Sequence, residues 1–153
     1  MIALIERDLR KRVAQLLVVR ASGHPLDSQR EFPQWELKNY DLKDLLEDGV
    51  GGVILVGGTI YELQDRTQNI RSWAGQPILL CADVEEGLGQ RFQGGTRLVP
   101  PLAVGQIYRN DPERAIAIAE MYGNCIGFQA RECGLNWVLA PVCDINNNPN
   151  NPV

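Results

Sequence analysis

The amino-acid sequence predicts an α/β fold with a parallel β-sheet. Four short segments dominated by Val, Ile and Leu alternate with longer segments that carry helix signals. Strands that are apolar on both faces are typical of parallel sheets covered by helices. An open doubly wound sheet and a (β/α)8 TIM-type barrel both have this order of elements, and the barrel needs about 250 residues. With 153 residues and about four predicted strands, the chain would form the first half of such a barrel.

Each predicted strand is bounded by a turn or loop signal. Aliphatic and β-branched residues favour a buried, extended backbone, whereas Gly, Pro and Asp interrupt it. The first strand precedes the loop at 22–25, the second precedes Gly57-Gly58, and the third ends in Asp83. The predicted strands are 15–19, 52–56, 77–82 and 136–140.

The segments between the strands carry helix signals. Residues 41–48 place Leu42, Leu45 and Leu46 on one face, and Gly49 ends the helix. The last helix starts at Asp111-Pro112, because Asp caps the free amides and Pro fits the first turn. Residues 26–40 are predicted to be an irregular or partly helical insertion, and the Gly-rich stretch from 84 to Pro100-Pro101 a loop. The predicted helices are 5–12, 41–48, 60–73 and 112–133.

Composition and charge exclude several classes of function. The chain has 15 Lys and Arg against 19 Asp and Glu, a formal net charge of −4 and a pI near 5.0. Such a chain is not expected to bind nucleic acid without sequence preference. No segment approaches the roughly 20 apolar residues of a membrane span. Charged residues at 6–8 interrupt any signal peptide, so a cytoplasmic protein is expected.

The cysteine and histidine content predicts neither a metal site nor a cofactor. The four cysteines form no CxxC pair. His24 is the only histidine, so no His-based metal cluster or Ser-His-Asp triad can be assembled. The cysteines are instead predicted to be small buried residues in a reducing compartment. They are Cys81, Cys125, Cys133 and Cys143, of which Cys81 and Cys143 are predicted to lie in strands.

The end of the third strand carries the most chemical groups. Ligands bind at the carboxyl ends of the strands in both candidate architectures. Asp83 lies there, and a carboxylate is costly to bury without partners. A hydroxyl-rich ligand could supply those partners, because one carboxylate can accept hydrogen bonds from two adjacent sugar hydroxyls. Alternatively, Asp83 caps the following turn or pairs with Arg91.

Other candidate groups give weaker signals. His24 follows the first strand and is either a site residue or an ordinary loop histidine. The Gly57-Gly58-Thr59 turn lacks the GxGxxG and GKS/GKT patterns of phosphate-binding loops. Gly123 and Gly127 have the spacing that lets a helix pack closely on a neighbour.

Four segments follow one another along nearly the whole chain. Three of them are residues 82–92, ADVEEGLGQRF, residues 96–101, TRLVPP, and residues 134–145, GLNWVLAPVCDI. They resemble, in this order, the D-x-E-G-G-x-V-x-R signature, the T-R-hydrophobic-P-P stretch and the G-I-N-x-x-x-A-P-V-x-D strand of glycoside hydrolase family 3. The fourth segment, residues 51–58, resembles the second strand of that family.

The resemblance implies a (β/α)8-type barrel and a retaining, exo-acting glycosidase. In such enzymes an aspartate attacks the anomeric carbon and a second group acts as acid/base. The aspartate of the D-x-E-G-G motif binds sugar hydroxyls, and in this chain it is Asp83. Arg91 keeps its motif position and is expected to pair with Asp83 or Glu85. Glu86 replaces the first motif glycine, and it either reshapes the sugar pocket or points to solvent.

The resemblance also implies that the reacting groups are absent from this chain. The Lys-His pair, the acid/base loop and the nucleophilic aspartate of the family follow a stretch that ends here at Val153. Residues 1–153 are therefore expected to be the N-terminal portion of the barrel domain, truncated before the catalytic half. The complete protein would be a β-N-acetylhexosaminidase-like enzyme or a β-glucosidase. The alternative is a non-catalytic sugar-binding remnant or a split-gene product. In each case the remainder of the barrel is required for a complete fold.

A half-barrel has two open sheet edges and an uncovered apolar inner face, which predicts self-association. The 153-residue chain alone is expected to be oligomeric, aggregated or only partly folded. Size-exclusion chromatography with light scattering checks this. A soluble 17.0 kDa monomer that unfolds cooperatively would contradict the half-barrel prediction.

Overall fold

The computed structural model describes residues 9–145, 147, 148 and 150, and it contains one four-stranded parallel sheet. The strands are adjacent in chain order, β1-β2-β3-β4. All three pairings are parallel, as the sequence predicts. The strands are β1 (Val18–Ser22), β2 (Gly52–Val56), β3 (Leu79–Asp83) and β4 (Trp137–Leu139).

Helices connect each strand to the next. One helix follows β1 and one follows β2, whereas two consecutive helices lie between β3 and β4. Residues 9–14 are also helical, and the first part of the helix predicted at 5–12 lies outside the described residues. No helix in the described part of the chain combines the length and apolarity needed to cross a membrane. The helices are α1 (Asn39–Glu47), α2 (Ile60–Ala74), α3 (Pro101–Tyr108) and α4 (Pro112–Glu132).

The first strand begins later than the sequence predicts. Residues 15–17 form a turn that closes the preceding helix, with the Leu17 N–H donating to the Ala14 carbonyl oxygen at 2.9 Å. The Gly51 N–H donates in turn to the Leu17 carbonyl oxygen at 3.1 Å. Leu16 is 83% exposed. An apolar run therefore does not by itself distinguish a buried strand from a turn that tertiary hydrogen bonds stabilise.

A helix forms directly after the predicted loop, in a stretch for which the sequence predicts no element. In α3, Pro101 is the first helical residue, a position at which its missing N–H costs nothing. Gly105 in the middle of this short helix weakens the helix signal. The start of α4 agrees with the prediction, because the Asp111 carboxylate accepts a hydrogen bond from the Arg114 N–H at 3.0 Å.

The hydrophobic core lies on one side of the sheet. Val53, Leu55 and Leu80 are fully buried and belong to one cluster with apolar residues of α1, α2 and α4. The residues that alternate with these along each strand face the other side of the sheet, where Leu79 is 46% exposed and Trp137 is 40% exposed. The helices of this chain therefore cover one face of the sheet. The opposite face corresponds to the inside of the predicted barrel.

Two of the four cysteines are buried as predicted. Cys81 and Cys133 are 1% and 5% exposed. Burial raises the pKa of the Cys81 thiol to about 11. Cys125 is only half-buried, and Cys143 is exposed, so the prediction for these two is wrong. Cys143 also lies outside any strand, because β4 ends at Leu139.

A buried arginine joins β1, α1 and α2. Arg66 of α2 is 1% exposed. Its Nε–H donates to the Ser22 carbonyl oxygen at 3.0 Å, and its Nη1 donates to Asn39 Oδ1 at 2.7 Å. Its guanidinium also lies over the Trp73 ring, 5.5 Å from the centroid. Burial lowers the pKa of Arg66 from its ordinary value.

Arg66→Met should lower the free energy of unfolding by roughly 2–4 kcal/mol, because one buried and one partly buried acceptor would lose their donor. Urea denaturation measures the change. Arg131→Met, on the exposed side of α4, is the matched control and should change it by less than about 0.5 kcal/mol. Equal effects of the two variants would contradict the assigned role of Arg66.

Candidate functional site

The carboxyl ends of the four strands lie at one edge of the sheet. Ser22 at the end of β1 is opposite Val56 at the end of β2. Asp83 at the end of β3 is opposite Leu139 at the end of β4. The loops that follow these strands therefore meet at the same edge, as in ligand-binding parallel α/β proteins.

The loops after β1 and β2 are in direct contact. The Gly23 N–H donates to the Val56 carbonyl oxygen at 2.8 Å. A Cβ atom at position 23 would lie 2.1 Å from the Gly57 carbonyl oxygen, so only glycine fits there. The Gly57-Gly58-Thr59 turn thus packs against the first loop and begins α2.

Asp83 lies at the end of β3 on the face away from the core cluster, and its side chain is 34% exposed. Its carbonyl oxygen accepts a hydrogen bond from Arg91 Nε–H at 3.2 Å. Its Oδ2 atom is 3.7 Å from Arg91 Nη2. Within the described residues no donor makes a hydrogen bond to either carboxylate oxygen of Asp83. The structure therefore shows the predicted pair with Arg91 and leaves both oxygens able to accept hydrogen bonds from a ligand.

Glu86 lies in the same loop but makes different contacts. Its N–H donates to Gln90 Oε1 at 2.9 Å, and its carbonyl oxygen accepts from the Leu98 N–H at 2.7 Å. Its Oε2 atom is 3.5 Å from Arg97 Nη2, and the side chain is 25% exposed. Glu86 thus connects the part of the loop that follows β3 with the part that precedes α3.

His24 belongs to a separate cluster. Its Nδ1 atom is 3.1 Å from Glu62 Oε1, and its Nε2 atom is 3.7 Å from Glu31 Oε1. The side chain is only 18% exposed. Both ring nitrogens therefore face carboxylates of this chain. The contacts of the described residues join His24 to neither Asp83 nor Arg91.

Sequence reasoning missed Glu62 as the partner of His24. Glu62 also accepts a hydrogen bond from the Thr59 N–H at 2.8 Å, and its own N–H donates to Thr59 Oγ1 at 3.1 Å. This is a capping box, which the Thr-x-x-Glu spacing indicates. The hydrogen bonds from His24 and Thr59 lower the pKa of Glu62 below its usual value.

Glu85 is one of the residues that line an apolar groove. Its Oε2 atom is buried and has no partner among the described residues. Its carbonyl oxygen accepts a hydrogen bond from Tyr122 Oη at 2.9 Å. Burial, with the Glu86 and Glu85 charges adding to it, raises the pKa of Tyr122 above its ordinary value.

The groove has a volume of about 670 Å³ and lies between α3, α4 and the end of β4. Gly105, Gly123 and Gly127 line it. Apart from their chain neighbours and the backbone of their own helix, no atom lies within 4 Å of where a Cβ would sit at these three positions. No described residue therefore packs closely against Gly123 or Gly127, although the sequence predicts close packing at these two positions. The two glycines border open space because α4 is covered on one side only.

Within the described residues, no three His, Cys, Asp or Glu side chains are placed to hold a metal ion.

Glu62→Gln should make the free energy of unfolding depend less on pH in the acidic range. The pKa of Glu62 is lowered in the folded chain, so its stabilising effect is present above its usual pKa of 4.5 and is lost as the pH falls through the lower folded value. The variant should be less stable at pH 7 by about 1 kcal/mol or less, because the pair is partly exposed.

Thermal unfolding between pH 7 and pH 3 measures the difference between wild type and variant, which should shrink towards pH 3. Asp65→Asn, an exposed site on the same helix, is the control. A difference that stays constant over the whole range would contradict the assignment.

Comparison with known proteins identifies relatives over most of the chain. A model of the glycosyl hydrolase family 3 N terminal domain matches residues 8–153. A β-hexosaminidase of Stenotrophomonas maltophilia (strain R551-3) is 37% identical over 105 residues, which are 66% of this chain and 31% of that protein. A β-hexosaminidase of Xanthomonas euvesicatoria pv. vesicatoria (strain 85-10) is 32% identical over 134 residues, covering 85% of this chain and 37% of that protein.

The chain therefore spans about a third of the length of the curated relatives it matches. The crystal structure of NagZ from Neisseria gonorrhoeae in complex with N-trifluoroacetyl-D-glucosamine has a similar fold, with a TM-score of 0.62 and 24% sequence identity. The similarity covers 80% of this chain and 36% of NagZ. It confirms the predicted fold class, the first part of a (β/α)8-type barrel that this chain does not close. Since the family model matches nearly every residue, the chain belongs to glycosyl hydrolase family 3 and forms part of its N-terminal domain.

Proposed function

We propose that the complete protein containing this chain is an exo-acting, retaining glycosidase that removes terminal β-linked N-acetylhexosamine. This chain would supply part of the sugar-binding subsite. The observation that carries the proposal is the Asp83 carboxylate, which lies at the carboxyl end of β3 with no hydrogen-bond donor on either oxygen among the described residues. The β-hexosaminidases among its relatives support the choice of sugar.

The position of Asp83 suits hydroxyl recognition. A carboxylate only accepts hydrogen bonds, and its bonds to hydroxyl groups are charge-assisted and short. At 34% exposure the group is accessible to a ligand yet partly shielded from water. Two adjacent hydroxyls of a terminal sugar can donate to its two oxygens, which would fix the orientation of the ring.

The bond-breaking groups are proposed to lie outside residues 1–153. In the retaining mechanism a carboxylate attacks the anomeric carbon, and an acid protonates the departing glycosidic oxygen. Water then attacks the same carbon and gives its proton to the group that acted as the acid. This step releases the sugar and frees the nucleophile. The role of this chain is to hold the terminal sugar in place for those two steps.

We also propose that the remainder of the barrel covers the apolar groove beside β4. The groove of about 670 Å³ is lined mainly by apolar residues of α3 and α4. Glu85 lines the groove and its buried Oε2 atom has no partner among the described residues, so the covering segment would supply a donor.

A cytoplasmic location is proposed too, since all four cysteines are free thiols, the form expected in a reducing compartment.

In the complete protein, Asp83→Asn should weaken the binding of N-acetylglucosamine by roughly 10- to 100-fold, because charge-assisted hydrogen bonds to the sugar are lost. Isothermal titration calorimetry measures the affinity. Asp44→Asn, an exposed site on α1, is the control and should leave it unchanged.

Unchanged affinity in Asp83→Asn would contradict the proposed role. Hydrolysis of β-glucosides but not of β-N-acetylglucosaminides would favour a β-glucosidase instead. Sugar binding without hydrolysis of either substrate would indicate a non-catalytic sugar-binding protein.

A further inference from the structure

An arginine on the inner face of the sheet lacks a charged partner among the described residues. Arg20 alternates along β1 with Val19 and Ala21, which pack in the core, so its side chain faces the inside of the barrel. Its Nε atom is buried without a hydrogen-bond partner, and no ion pair of the described residues includes Arg20. Shielding a guanidinium from water is costly unless an acceptor or an opposite charge approaches it. Arg20 therefore requires a group that the described residues do not supply.

The strand register places Arg20 on the same face of the sheet as Asp83. Arg20 is opposite Ile54, and Ile54 is opposite Cys81. Asp83 follows Cys81 by two residues, and residues two apart in a strand point to the same face. The strands β1 and β3 are two strand spacings apart, about 10 Å. The two charged groups can therefore contact different parts of one ligand.

The guanidinium of Arg20 is directed towards the carboxyl ends of the strands. Its Cζ atom lies over the Phe32 ring, 5.5 Å from the centroid, where a cation is attracted to the aromatic face. Phe32 belongs to the loop that follows β1, and that loop lies at the carboxyl edge of the sheet. The Phe32 side chain is 41% exposed, so part of the ring is accessible to a ligand.

Hydrogen bonds within the loop hold Phe32 in this position. The Leu37 N–H donates to the Arg20 carbonyl oxygen at 3.0 Å, which ties the end of the loop to β1. Arg30 Nη1 donates to the Glu36 carbonyl oxygen at 2.8 Å, and the Phe32 N–H donates to Glu36 Oε2 at 3.3 Å. Glu36 forms no ion pair with Arg20. Arg20 and Phe32 are thus arranged before a ligand arrives, which lowers the entropic cost of binding.

We propose that Arg20 and Phe32 form a subsite for an acidic saccharide, an inference that rests on the proposed function. The ring released on hydrolysis would carry a carboxylate or a sulfate group that accepts hydrogen bonds from the Arg20 guanidinium. Phe32 would pack against the apolar face of that ring. Asp83 repels an anion, so the negative group belongs to the released ring and the terminal sugar at Asp83 is neutral.

The test compares three aryl β-N-acetylglucosaminides that release 4-carboxyphenol, 4-sulfophenol or the neutral 4-carbamoylphenol. In the complete protein, Arg20→Gln should lower kcat/KM about tenfold for the two anionic substrates, because a charge-assisted hydrogen bond is lost. The neutral substrate should lose less than about twofold. The ratio of variant to wild type for each substrate cancels the different reactivities of the phenols, and a larger loss for one anion identifies the preferred group.

Three further measurements separate a specific contact from a general charge effect. Arg131→Gln is the matched control, because it removes an exposed positive charge from α4 and should leave all three rates unchanged. Arg20→Lys should retain part of the preference for the anionic substrates, and added salt should weaken that preference in wild type. Phe32→Leu should also reduce the preference, because the guanidinium loses the ring that orients it.

The outcomes distinguish this subsite from the proposed function. Equal losses for all three substrates in Arg20→Gln would overturn the subsite. Unfolding of Arg20→Gln that Arg20→Lys reverses would overturn it too, because the partner would then be a carboxylate of the remaining barrel. Failure of wild type to hydrolyse any of the three would instead overturn the proposed function. Titration of wild type and Arg20→Gln with 4-methoxybenzoate and 4-methoxybenzamide would then still decide whether Arg20 binds an anion.

Discussion

The in-register parallel pairing of the strands is the constraint on which the rest of the structure depends. It aligns Val53 with Leu80, so both point into one core cluster with the helices. It also places Asp83 opposite Leu139, at the edge where the carboxyl ends of the strands lie. A shift of one residue would exchange the two faces of a strand, exposing its buried side chains and burying the carboxylate. Core packing and the position of the candidate site are thus set by one register.

The loop after β3 is held by backbone hydrogen bonds, both within the loop and to the turn after β2. The Gly89 N–H donates to the Thr96 carbonyl oxygen at 2.9 Å, which joins the two arms of the loop. The Gln93 N–H donates to the Gly58 carbonyl oxygen at 2.8 Å, and the Ile60 N–H donates to the Gln93 carbonyl oxygen at 3.0 Å. These last two bonds tie the loop to the turn after β2. The candidate site is therefore built on neighbouring loops that hold each other, which limits the motion of Asp83.

The polar side chains at this end of the sheet differ in how far their hydrogen-bonding groups are satisfied by partners within the chain. Arg66 and His24 are engaged by groups of the same chain and connect neighbouring elements. Asp83 contrasts with them, because only Arg91 approaches its carboxylate among the described residues. Groups whose hydrogen-bonding capacity is satisfied stabilise a fold, whereas an accessible acceptor with unused capacity is available to a ligand. This contrast distinguishes Asp83 from Arg66 and His24.

The sequence alone determined the α/β class, the span of β2 and the cap of α4, and it predicted Asp83 as the leading site residue. These features depend on periodicity, on caps and on a carboxylate after an apolar strand, all of which are local in the chain. Only the tertiary structure decided that residues 15–17 form a turn, that His24 is held by Glu62, and that Gly123 and Gly127 border open space. The physical reason is that these features depend on contacts between residues far apart in the chain. Local propensities do not specify such contacts. They form only when the loops bring the distant residues together.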